Sequence, residues 1–264
     1  MFKKIIILFA LILISGISPA SKSIEYVPAD VLKPGEQLIY KVKYFFLRVG
    51  TLRLVNLGIV EEGALKGYFK LRIKIDSSPG IPFVTIHDIY ETYVDSNAVP
   101  AEFHAWEQKG KYTLETDYIF RNDENLAVVQ MRKVYPDRVE IVEDKQLPID
   151  RTYRDVLALL YFARQKSSEN YRKIIIPTFA LGTTDSCWFN EVGSIRTLKY
   201  RKEKLPCYYI QGRVKFIGVA GIKDDFEGWF SGDESRVPLK AKMKAFFGSV
   251  TIELESSENW LAAK

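Results

Sequence analysis

Asp150-Arg151-Thr152-Tyr153-Arg154-Asp155-Val156-Leu157-Ala158-Leu159-Leu160-Tyr161-Phe162-Ala163-Arg164-Gln165-Lys166 is the stretch whose reading decides the fold. It carries the one strong helix signal in a chain that otherwise reads as strands. Thr152 is placed to cap the helix, with Asp155 three residues on in the manner of a capping box. Val156, Leu159, Leu160 and Ala163 fall at i, i+3, i+4 and i+7 and form one stripe. Leu157, Tyr161 and Phe162 widen that stripe to over half the circumference. A helix so apolar requires a cover, and the surrounding sequence offers only sheet.

On both sides the apolar residues alternate. Leu38, Tyr40, Val42, Tyr44 and Phe46 share one face of a strand, with a turn expected at Arg48-Val49-Gly50. Phe69, Leu71, Ile73 and Ile75 alternate with Lys70, Arg72, Lys74 and Asp76, as in a sheet with one dry and one wet face. Further strands read at 85–94, 101–108, 112–120, 126–135 and 139–143, joined by short turns that imply antiparallel neighbours. After the helix, strands read at 172–176, 183–191, 194–201, 207–217 and 225–230. Leu239, Ala241, Met243, Ala245 and Phe247 then alternate with Lys240, Lys242 and Lys244, and Val250, Ile252 and Leu254 follow a turn at Phe247-Gly248-Ser249. The fold class is therefore mainly β: a large, curved antiparallel sheet, as a half-barrel or two-sheet meander, with one main helix packed on its concave face.

Residues 1–20 read as a cleavable signal peptide. Lys3 and Lys4 precede an apolar run from Ile5 to Ile14, and Ser18-Pro19-Ala20 supplies the small residues of a cleavage site. The run is short for a membrane span, and no cysteine follows it for lipid attachment. Removing 20 of the 264 residues leaves 244, and the loss of two lysines takes the formal charge from +5 to +3. So mild and dispersed a charge excludes a nucleic-acid footprint. Expectation therefore places the protein in the periplasm or outside the cell, without a transmembrane span. A lead-in segment is expected at 21–35, a single mainly-β domain at 36–257 and a tail at 258–264.

No nucleophile elbow, phosphate loop or metal-ligand spacing is present, so no cofactor and no metal are expected. His87 and His104 read as edge or solvated histidines. Gly218-Val219-Ala220-Gly221 reads as a bulge or turn. Cys187 and Cys207 could pair as a disulfide in an oxidising compartment, or stand as two buried thiols. Asp224, Asp225, Glu227, Asp233 and Glu234 cluster in sequence around Trp229 and Phe230, an arrangement that suits either sugar chemistry or turns. The large rings on the strands either fill the core around the helix or leave an apolar pocket. The pocket reading assigns ligand contact to Tyr40, Tyr44, Trp106, Tyr118, Leu160 and Trp229.

Four patches carry a family resemblance. They are Pro34-Gly35-Glu36 with Leu38-Ile39-Tyr40 and Gly50; Tyr93-Val94-Asp95 leading to Pro100; Asp155-Val156-Leu157 with Leu160-Tyr161-Phe162 and Arg164; and Trp229-Phe230-Ser231 with Asp233, Arg236, Pro238-Leu239-Lys240 and Gly248. In that order and spacing the chain resembles the domain-of-unknown-function family 3108. The resemblance implies an exported envelope protein of antiparallel sheet with no assigned activity, loosely similar in architecture to periplasmic lipoprotein carriers. It supplies no catalytic residue. The functional expectation is a non-catalytic binder of an apolar or amphipathic ligand, such as a lipid or the acyl chain of a lipoprotein. The alternatives are a scaffold that binds envelope partners through sheet edges, and a secreted glycan-active enzyme.

Overall fold

The computed structural model describes residues 24, 26–81, 85–214, 224–244 and 248–260. The expected signal peptide and Gly218–Gly221 lie outside them. Among the described residues the chain forms one 14-stranded sheet, and every ladder between named strands is antiparallel. Eight strands run as a meander outward from the middle: β1 Gln37–Tyr44, β2 Leu47–Ile59, β3 Phe69–Ser77, β4 His87–Val94, β5 Pro100–Gln108, β6 Thr113–Arg121, β7 Leu126–Val134 and β8 Val139–Pro148. The helix α1, Val156–Lys166, then carries the chain to the opposite edge. From there β9 Ile174–Ala180, β10 Thr183–Tyr200, β11 Glu203–Val214, β12 Asp224–Phe230, β13 Pro238–Lys244 and β14 Ser249–Glu258 return to the middle, where β14 pairs with β1.

The outer strands β8 and β9 do not pair, so the sheet is not closed into a barrel. Twist nevertheless brings the two halves together. The rings of Phe120 on β6 and Phe179 on β9 meet at 5.3 Å, and Gly182 N donates to the Tyr118 hydroxyl at 3.0 Å. Arg154, on the approach to the helix, pairs with β9: its N donates to Pro177 O at 3.1 Å, and Phe179 N donates to its carbonyl at 2.9 Å. The interior between the halves holds α1.

The helix begins later than its sequence suggests. Arg154 is extended because β9 holds it, so Asp155, not Thr152, is the N-cap. The Asp155 carboxylate accepts from Leu157 N at 2.8 Å, Ala158 N at 3.0 Å and Thr92 Oγ1 at 2.7 Å, which ties the helix start to β4. Burial pushes this carboxyl up to about 6, against the pull of those donors. Of the residues expected only to widen the stripe, Leu157 and Tyr161 are fully buried and Phe162 is partly buried; Ala158 and Arg164 are fully buried as well.

Three other boundaries differ from the sequence reading. The strands read at 183–191 and 194–201 are one strand, β10, kinked by two bulges. Gly193 sits at the second with φ +84°, and a Cβ there would lie 2.3 Å from Glu169 O, so only glycine fits. In the lead-in segment Val31 and Leu32 are core residues. In the tail Trp260 is buried and donates Nε1 to Asp233 at 3.1 Å.

A buried ion pair anchors α1. Arg164 donates to both Glu36 oxygens, at 2.7 and 2.8 Å, and to Ser235 O in the β12–β13 loop at 2.7 Å. Neither charged side chain reaches solvent. Removing one partner strands a charge in the core. Arg164→Met is therefore expected to lower the unfolding free energy by about 3–5 kcal/mol. Glu36→Leu with Arg164→Met is expected to recover part of that loss. Urea unfolding of the two single variants and the double variant measures the difference; equal losses in all three would show that the charges are not coupled.

Candidate functional site

Of the six residues of the pocket reading, Tyr40, Tyr118, Leu160 and Trp229 belong to or pack against one core cluster, and Trp106 and Tyr44 do not. Tyr118 is packed among rings, stacked on Phe103 at 5.1 Å and edge-on to Phe179 at 4.9 Å. Tyr40 is buried, and its hydroxyl and that of Tyr161 have no partner among the protein groups described. Burial raises both phenols, and pushes Tyr118 up to about 12. Leu160 is partly buried against the same core. Trp106 belongs to the other face of β5: Phe103 and Ala105 point inward, so Trp106 stacks outside on His104, 6.0 Å away. Trp229 alternates with buried Gly228 and Phe230 and lies against Tyr209 at 5.2 Å, beneath Lys240. Tyr44 stands at a hairpin end, edge-on to Phe45 at 4.8 Å.

The helix and the inward rings make up the core between the two halves of the sheet. Two clefts among the described residues are open to solvent and rich in polar groups. One, of about 250 Å³, is lined by Lys41, Tyr200, Arg201, Lys240 and Glu253. The other, of about 400 Å³, lies between the lead-in segment and α1 and is lined by Tyr26, Asn97, Arg154, Gln165 and Lys166. Neither offers the dry, enclosed wall that an acyl chain requires.

The carboxylates near Trp229 are structural ties. Asp225 pairs with Arg213 at 2.8 Å, and Glu227 accepts from the Tyr209 hydroxyl at 2.6 Å. Asp233 shapes its loop by accepting from Ser235 N at 2.9 Å, and Glu234 pairs with Lys33 at 2.5 Å. The Arg213 and Lys33 partners hold Asp225 and Glu234 below the usual carboxylate range, the reverse of what a general acid needs. A different cluster, without a motif to mark it in the chain, forms at Asp88, Tyr90 and Glu107. There the Tyr90 hydroxyl donates to Glu107 at 2.6 Å and lies 3.4 Å from buried Asp88, whose carboxyl is raised by burial and by the Glu107 charge.

Cys187 and Cys207 are free and buried. They occupy the consecutive strands β10 and β11, but the register sets Cys187 opposite Val214 and Cys207 opposite Arg196. Seven residues along a strand is roughly 23 Å, so no disulfide joins them. Among the described residues no group of three or more His, Cys, Asp or Glu is placed to hold a metal. His87 meets Asp76 at 2.9 Å. His104 lies between Asp117 at 2.7 Å and Glu102 at 3.1 Å, and Arg132 donates to Asp117 at 2.7 Å.

The feature that stands apart is the β1–β2 tip. Phe45, with φ 52°, and Phe46 make the turn, two residues before the one expected at Arg48. Phe46 therefore leaves the dry face. Phe45, Phe46 and Leu47 are 60%, 86% and 54% exposed. Gly248, immediately before β14, lies under the Phe45 ring, where a Cβ would come within 2.6 Å. The expected positions of Ala245 and Phe247 on a strand face lie outside the described residues.

Behind this tip is a basic face. Register places Lys41 and Lys240 on either side of Glu253, Lys43 and Lys242 on either side of Thr251, and Lys244 beside Ser249. Glu253 meets Lys43 at 2.6 Å, Lys41 at 3.4 Å and Lys240 at 3.6 Å. Those lysines hold its carboxyl low. The arrangement combines exposed rings with a surplus of ammonium groups, a combination suited to contact with an amphipathic surface.

Residues 39–255 match the family model described as "Protein of unknown function (DUF3108)". None of the curated proteins compared with the sequence matches it. Among solved structures, the fold is similar to a β-barrel-like protein of the domain of unknown function DUF1849 from Brucella abortus. The TM-score is 0.52 and the identity 9%, over 85% of this chain and 97% of that one. At such identity the likeness is one of fold.

The His104 site generates a pH dependence. The hydrogen bond to Asp117, then that to Glu102, raise the imidazole above its ordinary value of 6.5, against desolvation. A raised histidine contributes stability that is fully present below 6.5 and is lost as pH rises through the folded-state value. Unfolding free energy from urea titrations is expected to fall as pH rises through that window. His104→Gln is expected to remove this contribution to the slope.

Proposed function

The chain belongs to the DUF3108 family, and from that premise we propose that it is an exported, non-catalytic protein that engages a lipid layer at its surface, through the β1–β2 tip. The reading keeps the amphipathic ligand that the sequence suggested and moves its site. One observation carries it: the interior is occupied by α1 and its rings, whereas three consecutive large apolar side chains, Phe45, Phe46 and Leu47, stand in water. Burying each such side chain in an apolar medium is worth about 1.5–3 kcal/mol. A tip of this kind gains most by entering the boundary between headgroups and acyl chains. Export to the periplasm or beyond would put it opposite a membrane face.

A second reading rests on β8. It is an outer strand of the sheet, and it exposes Val139, Ile141 and Val142. An apolar outer strand is a template for strand addition by a partner protein, which is the scaffold alternative. The bulge at Met131/Arg132 in the β7–β8 ladder works against it, because bulges interrupt regular pairing.

The test is co-sedimentation of the purified, exported protein with phospholipid vesicles. Wild type is expected to sediment with them. Phe45→Ser with Phe46→Ser is expected to weaken binding by roughly a hundredfold, at about tenfold or more per ring. Thermal stability should be almost unchanged, because Phe46 in particular supports little of the core. Ile141→Lys should bind vesicles as wild type does. A soluble fluorescent fatty acid should not bind saturably, since the proposal provides no interior site for it. Wild-type protein that stays in the supernatant with every vesicle, or a double variant that binds undiminished, would overturn the reading.

A further inference from the structure

We propose that the lysine face behind the tip selects membranes that carry anionic headgroups; this rests on the surface reading above and adds its chemical specificity. Five lysines, Lys41, Lys43, Lys240, Lys242 and Lys244, share one face of β1, β14 and β13 with Glu253, and β12 sets Glu227 opposite Lys242, so the lysines outnumber the carboxylates that face them. Glu253 is the ion-pair partner of Lys41, Lys43 and Lys240. Lys242 and Lys244 have no ion pair among the described residues, although Lys244 is near enough to Asp225 to help lower its carboxyl. Asp225 itself is taken by Arg213. The adjacent Arg48 is satisfied by both oxygens of Glu255. The face therefore keeps a net positive charge that the protein does not neutralise.

Its position gives the charge a direction. Lys43 lies two residues before Phe45, and Lys244 faces Ser249, next to the glycine under the Phe45 ring. Residues two apart on a strand advance by about 7 Å, so the lysines nearest the tip would lie within about one Debye length of a surface that the tip enters. The opposite end of the sheet has a net charge of the other sign. Its turns carry Glu61 and Glu62 after β2, Asp95 after β4, Asp123 and Glu124 after β6, and Asp233 and Glu234 after β12, which outnumber Lys66, Arg201, Lys202 and Arg236 in the turns of the same rim. An anionic surface attracts the tip end and repels the far end, so the field orients the rings before they make contact. A row of lysines serving only solubility would not need to end on exposed phenylalanines.

The experiment uses vesicles of phosphatidylcholine alone and vesicles in which phosphatidylglycerol replaces part of it, at low and high salt. Wild type is expected to bind the phosphatidylglycerol vesicles at least tenfold more tightly, and added salt should erase the difference. Lys242→Glu with Lys244→Glu is expected to remove the preference and leave residual binding to phosphatidylcholine. The milder pair Lys242→Gln and Lys244→Gln, checked for an unchanged thermal transition, guards against loss of fold. Equal, salt-insensitive binding to both vesicle types would overturn this inference and leave the surface reading standing. Binding to neither would overturn both. Displacement by duplex DNA regardless of the Phe45 and Phe46 variants would show a general polyanion site and likewise overturn it.

Discussion

The Arg164–Glu36 pair fixes the relation of the helix to the sheet. Arg164 is near the end of α1, Glu36 immediately precedes β1, and the Ser235 carbonyl that shares the guanidinium belongs to the β12–β13 loop. One planar donor group therefore joins the crossover helix to both halves of the sheet. Such a pair gains little over well-packed apolar side chains, because both ions must be desolvated. What it supplies is register. A helix that is apolar on most of its surface can rotate or slide against a ring-lined sheet with small change in contact, whereas the guanidinium fork has one position in which both oxygens are met.

Connectivity explains why the core needs a second anchor at the helix start. The first and last strands pair in the middle of the sheet, so the two outer strands are the ones on either side of the helix in sequence. The helix must span between β8 and β9 and also fill the space between their halves. Arg154 docks on β9, Asp155 reaches Thr92 on β4, and Arg164 reaches Glu36. These three consecutive restraints run from one half of the sheet to the other. They also make the fold depend on contacts distant in sequence, as the β1–β14 ladder does, and that predicts slow folding for the chain's size.

Much of this was legible in the residues. Alternation placed the strands because a two-residue period survives in any half-buried sheet, and the single helical stripe stood out against it. The same rule misled at Phe46, which continues the Leu38-Tyr40-Val42-Tyr44 alternation and so looked buried, although the chain had already turned. Size draws Trp106 into the pocket reading, but the parity of its strand puts it opposite Phe103, whereas Trp229 does pack against the core. The cysteines needed the offset between two strands, which pattern does not contain. Glu36 and Arg164 both lay in patches that carried the family resemblance, yet their pairing across 128 positions is a property of the closed structure. The family match does not distinguish residues that build the fold from residues that meet a ligand, and here Glu36, Asp155, Arg164 and Asp233 all build the fold.

A filled, one-sheet interior constrains where recognition can occur. In an antiparallel meander every second turn falls at the same end, so the β1–β2, β7–β8, β9–β10 and β13–β14 connections share one rim and the β2–β3, β4–β5 and β6–β7 connections share the other. The chemistry of turns thus accumulates by end and not along the chain. Ordinary turn composition would make both rims polar. The acidic rim follows that rule. The other rim departs from it at Phe45 and Phe46, and Leu181 in the β9–β10 turn is likewise exposed. Exposed rings on a rim invite self-association unless like charge keeps copies apart. The lysines meet that requirement, since two basic faces repel, and the same charges attract a surface of opposite sign. Solubility and docking therefore do not compete here: the side chains that prevent the tip from meeting its own kind are those that would bring it to an anionic layer.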